Sequence, residues 1–205
     1  MITCYFVRHG QTDYNKQGIV QGSGIDSSLN EEGRAQAAAF FRTYNHLSFD
    51  KVFASDLQRT HQTLAPWTQA GYTFERTRSL NELNWGVHEG KQPSAEQRVE
   101  FRHTLQTWAE GTLTAKVAEG ESPIEAWDRA KGFFDHLRAD YENHQLLLCS
   151  HGRQLRVILS NLIDGDMRHM EKYSHHNTGL SVVIFDRDGS VHVEKVNNTD
   201  HLVAI

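Results

Sequence analysis

With 205 residues, 38% of them apolar and 23% charged, and only 15 glycines and 3 prolines, the chain has the composition of an ordinary globular protein, not of a disordered, collagen-like or low-complexity one. Its length favours a single domain, and a chain of this size can bury about 70% of its unfolded surface without help from a disulfide or a metal. Against 26 Asp and Glu stand 21 Lys and Arg, a net charge of −5, which excludes the global basic field of a nucleic-acid binder and leaves any anion site to be local.

Strand signals alternate with helical ones along the chain. This predicts an α/β fold, a three-layer α/β/α sandwich whose mostly parallel central sheet carries helices on both faces. Residues 1–7 show no basic n-region or long apolar h-region, and no apolar run approaches a membrane span. Residues 2–7 form a short apolar strand ending in Arg8, His9 and Gly10. Asn30 caps a helix over 31–44, with two acids in its first turn and Ala37, Phe40, Phe41 and Tyr44 on one face. A strand over 51–54 leads into a helix over 57–70. Residues 80–121 are irregular apart from a helix over 94–109, and are expected to form a cap-like insertion over the strand ends within a single domain spanning 1–205. Ser122, Pro123 and Glu125 make a capping box with Pro at its first helical position, opening a helix with Trp127, Ala130, Phe134 and Leu137 on one face. Residues 145–150 repeat the apolar strand pattern and end in His151 and Gly152. Residues 179–185 and 191–196, joined through 186–189, predict a terminal hairpin at a sheet edge. Cys4 and Cys149 fall in apolar strands and read as small hydrophobes, so a reduced, cytoplasmic location is expected.

In an open α/β sheet the ligand site lies beyond the carboxyl ends of the strands. His9 and His151 occupy that position on separate strands, each followed by a glycine that lets backbone approach a ligand. Arg8 offers a guanidinium fork for phosphate oxygens, Asn15 and Gln21 offer amide donors, and Gly22 and Gly24 keep the loop slim. Arg59 falls in the first turns of the helix after the 51–54 strand, where the helix dipole disfavours a cation and a purely stabilising role is the poorer explanation. Among the 13 histidines, the adjacent His175 and His176 diverge too far to share one ion. No His-Glu-x-x-His or Cys-x-x-Cys spacing occurs, and neither a metal nor another cofactor is expected.

Taken together, these blocks resemble the histidine phosphatase superfamily, the phosphoglycerate mutase-like branch. The similarity runs through residues 6–12 with Asn15, Gln21-Gly22 and Asp26, 29–33, 54–60 with Gln62 and Thr63, 80–82 with Gly86, Glu89 and Gly90, 120–122, 150–152, and 197–202. It implies that His9 is a phosphorylated nucleophile, that Arg8, Arg59 and His151 complete the phosphate pocket, and that Glu82 is the proton donor. Asn15, Gln21, Gly22 and Gly152 would add substrate contacts. Phosphoryl transfer spreads charge over three equatorial oxygens, so two arginines, a histidine and amide donors suit it. Neutral His9 needs no separate base if its other ring nitrogen donates to a fixed acceptor. A phosphate and Trp85 beside Glu82 would keep that carboxyl protonated for the leaving alkoxide.

Departures from the family pattern fall at Gln11, Asp13-Tyr14, His61, His88 and Arg153, and Arg153 and His88 are candidates to meet a second anionic group. The Glu82-to-Gly86 run differs from the one mutases carry, which favours hydrolysis of a small phosphomonoester over a mutase reaction. A third reading is a non-catalytic phospho-ligand module, against which the presence of Arg8, His9, Arg59, Glu82 and His151 argues. The expected partner is a small phosphorylated molecule, not nucleic acid or membrane, bound by a monomer or homodimer.

Overall fold

Alternation along the strands sets the layers. In β1 (Ile2–Arg8), Ile2, Cys4 and Phe6 enter one apolar cluster while Val7 enters another; in β4 (Gln145–Ser150), Leu146 and Leu148 part from Leu147 and Cys149 in the same way. Strands buried on both faces must be covered on both. The computed structural model describes residues 1–203, in which one six-stranded sheet also contains β2 (Lys51–Ala54), β3 (Glu75–Arg76), β5 (Leu180–Phe185) and β6 (Val191–Asn198). The order is β3-β2-β4-β1-β5-β6, with β3, β2, β4 and β1 parallel and β5 and β6 antiparallel. The α/β sandwich expected from the sequence is therefore present, with its terminal hairpin at the edge.

The first apolar cluster joins the sheet to α6 (Pro123–Asp140) and α7 (Gly152–Leu159) through Ala130, Phe134, Leu155 and Ile158; the second joins it to α2 (Glu31–Tyr44) and α4 (Ala65–Gln69) through Phe40, Tyr44 and Trp67. Asn30 accepts from the Gly33 N–H at 2.9 Å and starts α2, as its position predicted. Ser122 and Glu125 close the capping box of α6 through reciprocal bonds of 3.3 and 2.8 Å.

The single helix expected over 57–70 is two helices, α3 (Gln58–Thr63) and α4, with Leu64 between them. Pro66 explains the break, because it has no N–H to donate to the carbonyl four residues back and its ring crowds that turn. The five-residue α1 (Asp13–Gln17), capped by Thr12, and the two-residue β3 were not anticipated. Residues 80–121 supply α5 (Ala95–Ala109) and one short 3-10 turn (Gly86–His88). Leu83, Trp85, Trp108 and Val117 there pack with Val157 of α7 and with Met167 and Met170 into a third apolar cluster.

Candidate active site

The paired strands β1 and β4 run in register, Arg8 opposite Ser150, so the residues that follow them leave the sheet side by side. The His9 N–H donates to the Ser150 carbonyl at 3.0 Å, and the His9 and His151 rings lie 5.1 Å apart. His9 is 2% exposed, and its Nδ1 is 2.7 Å from the Gly10 carbonyl. A carbonyl only accepts, so Nδ1 carries the hydrogen and Nε2 carries the lone pair. Burial first, then Arg59 and Arg8, pull the His9 pKa well below its ordinary value and keep the ring neutral.

Arg8 donates through Nη1 to the His175 carbonyl at 2.7 Å, and its buried Nε has no partner among the described residues. A Cβ on Gly152 would sit 3.3 Å from that Nε, so the glycine lets the guanidinium lie against the first turn of α7. Behind His9, Arg59 Nε donates to His151 Nδ1 at 3.0 Å, which places the His151 hydrogen on Nε2, 2.8 Å from Ser55 Oγ. The remaining Arg59 donors hold the Ile25 and Gly22 carbonyls at 2.6 and 3.2 Å. Burial lowers Arg59 to about 10, so it stays a cation at neutral pH. His151 is pulled well below its ordinary value by burial and by Arg59.

Glu82, in the segment that follows β3, docks on the N-terminus of α7. Its Oε1 accepts from the Leu83 and Gln154 N–H groups at 2.9 and 2.8 Å, and its Oε2 from the Arg153 N–H at 3.1 Å. Acceptance of unpaired helix N–H groups by an acid at a positive dipole end fixes the side chain in place.

A cavity of about 220 Å³ opens above these groups, and Arg8, His9, Asn15, Gln21, Glu82 and Gly152 line it. Arg59 and His151 lie beneath it, outside its lining. Gly22 is beside it, where a Cβ would strike the Glu89 carboxylate and approach the Leu83 carbonyl to 2.6 Å. Asn15 accepts from the Thr12 N–H and Asn177 Nδ2, both at 3.2 Å, while Gln21 Nε2 donates to Thr12 Oγ1 at 2.6 Å. A larger groove of about 330 Å³ at the far end of β1, between Arg138, Glu142 and Arg187, contains none of the residues expected at the site.

The sequence profile of the histidine phosphatase superfamily (branch 1) matches residues 4–199. The chain belongs to that superfamily. It is 34% identical over 167 residues to a probable phosphoglycerate mutase GpmB of Erwinia tasmaniensis, covering 80% of this chain and 75% of the relative. The Escherichia coli O1:K1 / APEC protein of the same name is 32% identical over 166 residues, covering 80% of this chain and 75% of that one. In fold it is similar to a mycobacterial glucosyl-3-phosphoglycerate phosphatase, with a TM-score of 0.84 at 22% identity over 96% of this chain and 99% of that one. It is also similar to a phosphoserine phosphatase of Entamoeba histolytica, with a TM-score of 0.83 at 24% identity over 99% of this chain and 100% of that one.

In this histidine phosphatase superfamily chain, α6 clamps the Glu82 segment. Arg129 donates from Nε and Nη2 to the two Glu121 oxygens at 2.9 and 3.0 Å, from Nη2 to the Asn81 carbonyl and Gln154 Oε1 at 3.2 Å each, and from Nη1 to the Arg78 carbonyl. Glu121 in turn accepts from the Asn84 N–H at 3.3 Å, so both neighbours of the Glu82 turn are held. Sequence reasoning missed this clamp, whose members span residues 78 to 154.

The departures from the family pattern divide. His88 pairs with Glu100 at 2.9 Å and does not line the His9 cavity, and His61 Nε2 donates to the Ser55 carbonyl at 2.7 Å while the ring packs on Phe74. The His61 partner is a carbonyl, so the ring is the donor. Arg153 does line the cavity, together with Arg156 and His175, which the sequence reading passed over. Arg156 lies three residues after Arg153 on one helix, a spacing that puts both on one face and could have flagged it.

Proposed function

We propose that the chain hydrolyses a small phosphomonoester through a covalent phosphohistidine on His9, with Glu82 as proton donor. The observation that carries this reading is the His9 ring itself: neutral, oriented by its Nδ1–H bond to Gly10, with Nε2 free of hydrogen bonds among the described residues beside a cavity walled by Arg8. Nε2 attacks phosphorus in line with the departing alkoxide, and the bond to the ester oxygen breaks as the new P–N bond forms. Arg8 presents its guanidinium to the equatorial oxygens, and Arg59, held in place by its bond to the neutral His151 ring, supplies fixed positive charge nearby. Glu82, as the proton donor, delivers its proton to the leaving alkoxide as the ester bond breaks. The resulting carboxylate takes a proton from water as it attacks the phosphohistidine, releasing phosphate and restoring His9. The segment 80–121, which brings Glu82, acts as a cap over one domain.

Rapid acid-quench labelling with a ³²P-phosphomonoester tests this. Wild-type protein should carry acid-labile, base-stable label and the His9→Ala variant none; label on serine or cysteine refutes the mechanism. The names of the GpmB relatives favour a second reading, a mutase that returns the phosphoryl group to its substrate. Transfer of label from one phosphoglycerate position to another, faster than release of phosphate, would select it.

A further inference from the structure

The His9 cavity has a second cationic wall. Arg153 and Arg156, on successive turns of α7, both line it, and both pair with one carboxylate, that of Glu171. Arg153 is 9% exposed and its guanidinium lies 5.8 and 5.6 Å from the ring centres of Trp85 and Trp108, which fix its plane. Glu171 is half exposed, outside the cavity, and shared between two cations. Along the lining itself Glu82 is the carboxylate and Arg8, Arg153 and Arg156 are the guanidiniums, so the pocket is cationic in a chain of net charge −5. Burial lowers both Arg153 and Arg156 to about 10, and both remain charged at neutral pH. Three guanidiniums along this wall face two carboxylates, Glu82, whose charge acts on both Arg153 and Arg156, and the exposed Glu171, which leaves the pocket under-neutralised, a costly arrangement for stability alone. With a phosphate monoester on His9 and Arg8, Arg153 and Arg156 are the further cations lining the same cavity.

We propose that Arg153 and Arg156 form a specificity subsite for a second anionic group, a carboxylate or a second phosphate, carried by the alcohol part of the substrate. The inference rests on the hydrolase reading of the same cavity. Planar guanidinium forks bind carboxylate or phosphate bidentately, and the small cavity holds that anion within a few carbons of the ester. Glu171 partly occupies the forks in the free protein and releases capacity when a substrate anion arrives.

Glycerol phosphate and phosphoglycerate, which differ in a hydroxymethyl against a carboxylate, separate the effect from general catalysis. Wild-type kcat/KM should favour phosphoglycerate by about 10- to 100-fold, the scale of charge-assisted pairing to an arginine fork. In Arg156→Gln and Arg153→Gln that ratio should fall by at least about threefold, whereas a merely structural lesion lowers both substrates together and keeps the ratio. Glu171→Gln, at an exposed position, should raise the ratio by freeing both forks. A bisphosphorylated glycerol in a parallel arm tells a second phosphate from a carboxylate: whichever ester shows the larger Arg156-dependent preference identifies the anion. A wild-type ratio below about threefold for both anionic esters, or ratios untouched in both arginine variants, overturns the proposal. If the wild type hydrolyses none of these esters and no aryl phosphate, the hydrolase reading fails separately. Calorimetric titration of phosphoglycerate and glycerol phosphate onto wild type and Arg156→Gln then decides the subsite by affinity alone.

Discussion

Replacing Arg129 with Met removes the clamp on the Glu82 segment while keeping most of the aliphatic volume on α6. Glu121 loses two charged bonds of 2.9 and 3.0 Å, and the Asn81 and Arg78 carbonyls and Gln154 lose a donor. Arg129 and Glu121 are 18% and 17% exposed, between the surface regime, where a pair is worth less than about 1 kcal/mol, and the buried one, where breaking it costs about 3–5 kcal/mol. A cost of about 2–3 kcal/mol follows, which for a domain of this size is a fall in Tm of roughly 4–12 °C. The effect on turnover is more diagnostic. Gln154 donates its N–H to Glu82 and accepts from Arg129 through its side-chain oxygen, so the loosened turn displaces Glu82, the proposed proton donor, more than it does His9 or Arg8. A shift of about 1 Å in a catalytic group costs on the order of 100-fold. An alkyl phosphate, whose alkoxide must be protonated, should therefore slow by about 10- to 100-fold, and an aryl phosphate by less than about fivefold. Steady-state rates across esters of graded leaving-group pKa, measured at 15 °C below the variant's own Tm, give the comparison as a steeper slope. Equal losses for alkyl and aryl esters would refute the reasoning, because the clamp would then be holding the fold and not the acid.

Gly22→Ala drives a methyl into the Glu89 carboxylate and to 2.6 Å from the Leu83 carbonyl, next to Glu82, so stability should drop by about 1–3 kcal/mol with a larger loss on alkyl than on aryl esters; denaturant melts unchanged from wild type would contradict it. His9, His151 and His175 are held neutral, His175 at about 4, so the unfolded chain binds protons that the folded one does not, and stability should fall as pH drops below about 6.5. Each contributes at most about 1.4 kcal/mol per pH unit, and urea midpoints that hold steady or rise between about pH 7 and 5.5 would count against their burial as neutral rings.

Local signals carried the regular elements. The apolar runs at β1, β2 and β4, the Asn30 cap and the Ser122 box each act within a few residues, and each stands where the sequence placed it. Pro66 was equally local and was overlooked, whereas β3 rests on two residues whose partners in β2 supply the pairing. At the site, His9 and His151 were legible because both follow apolar strands and precede glycine. The tautomers were not, since they depend on Gly10, Ser55 and Arg59 meeting in space. The Arg129 clamp and the sharing of Glu171 by Arg153 and Arg156 are likewise contacts between distant segments, and no periodicity encodes them.

The register of β1 against β4 has a mechanical consequence. His9 and His151 are each one residue beyond paired positions in adjacent central strands, tied by the bond from His9 N–H to Ser150. Their spacing can change only if the middle of the sheet shears, which would break ladder bonds on both sides. The backbone positions from which the two imidazoles project thus belong to the rigid middle of the sheet and are set when it folds. Glu82 is tied as firmly from the other side, through the first turn of α7 and the Arg129 clamp, so adjustment to a ligand is left to the side chains at the rim of the cavity.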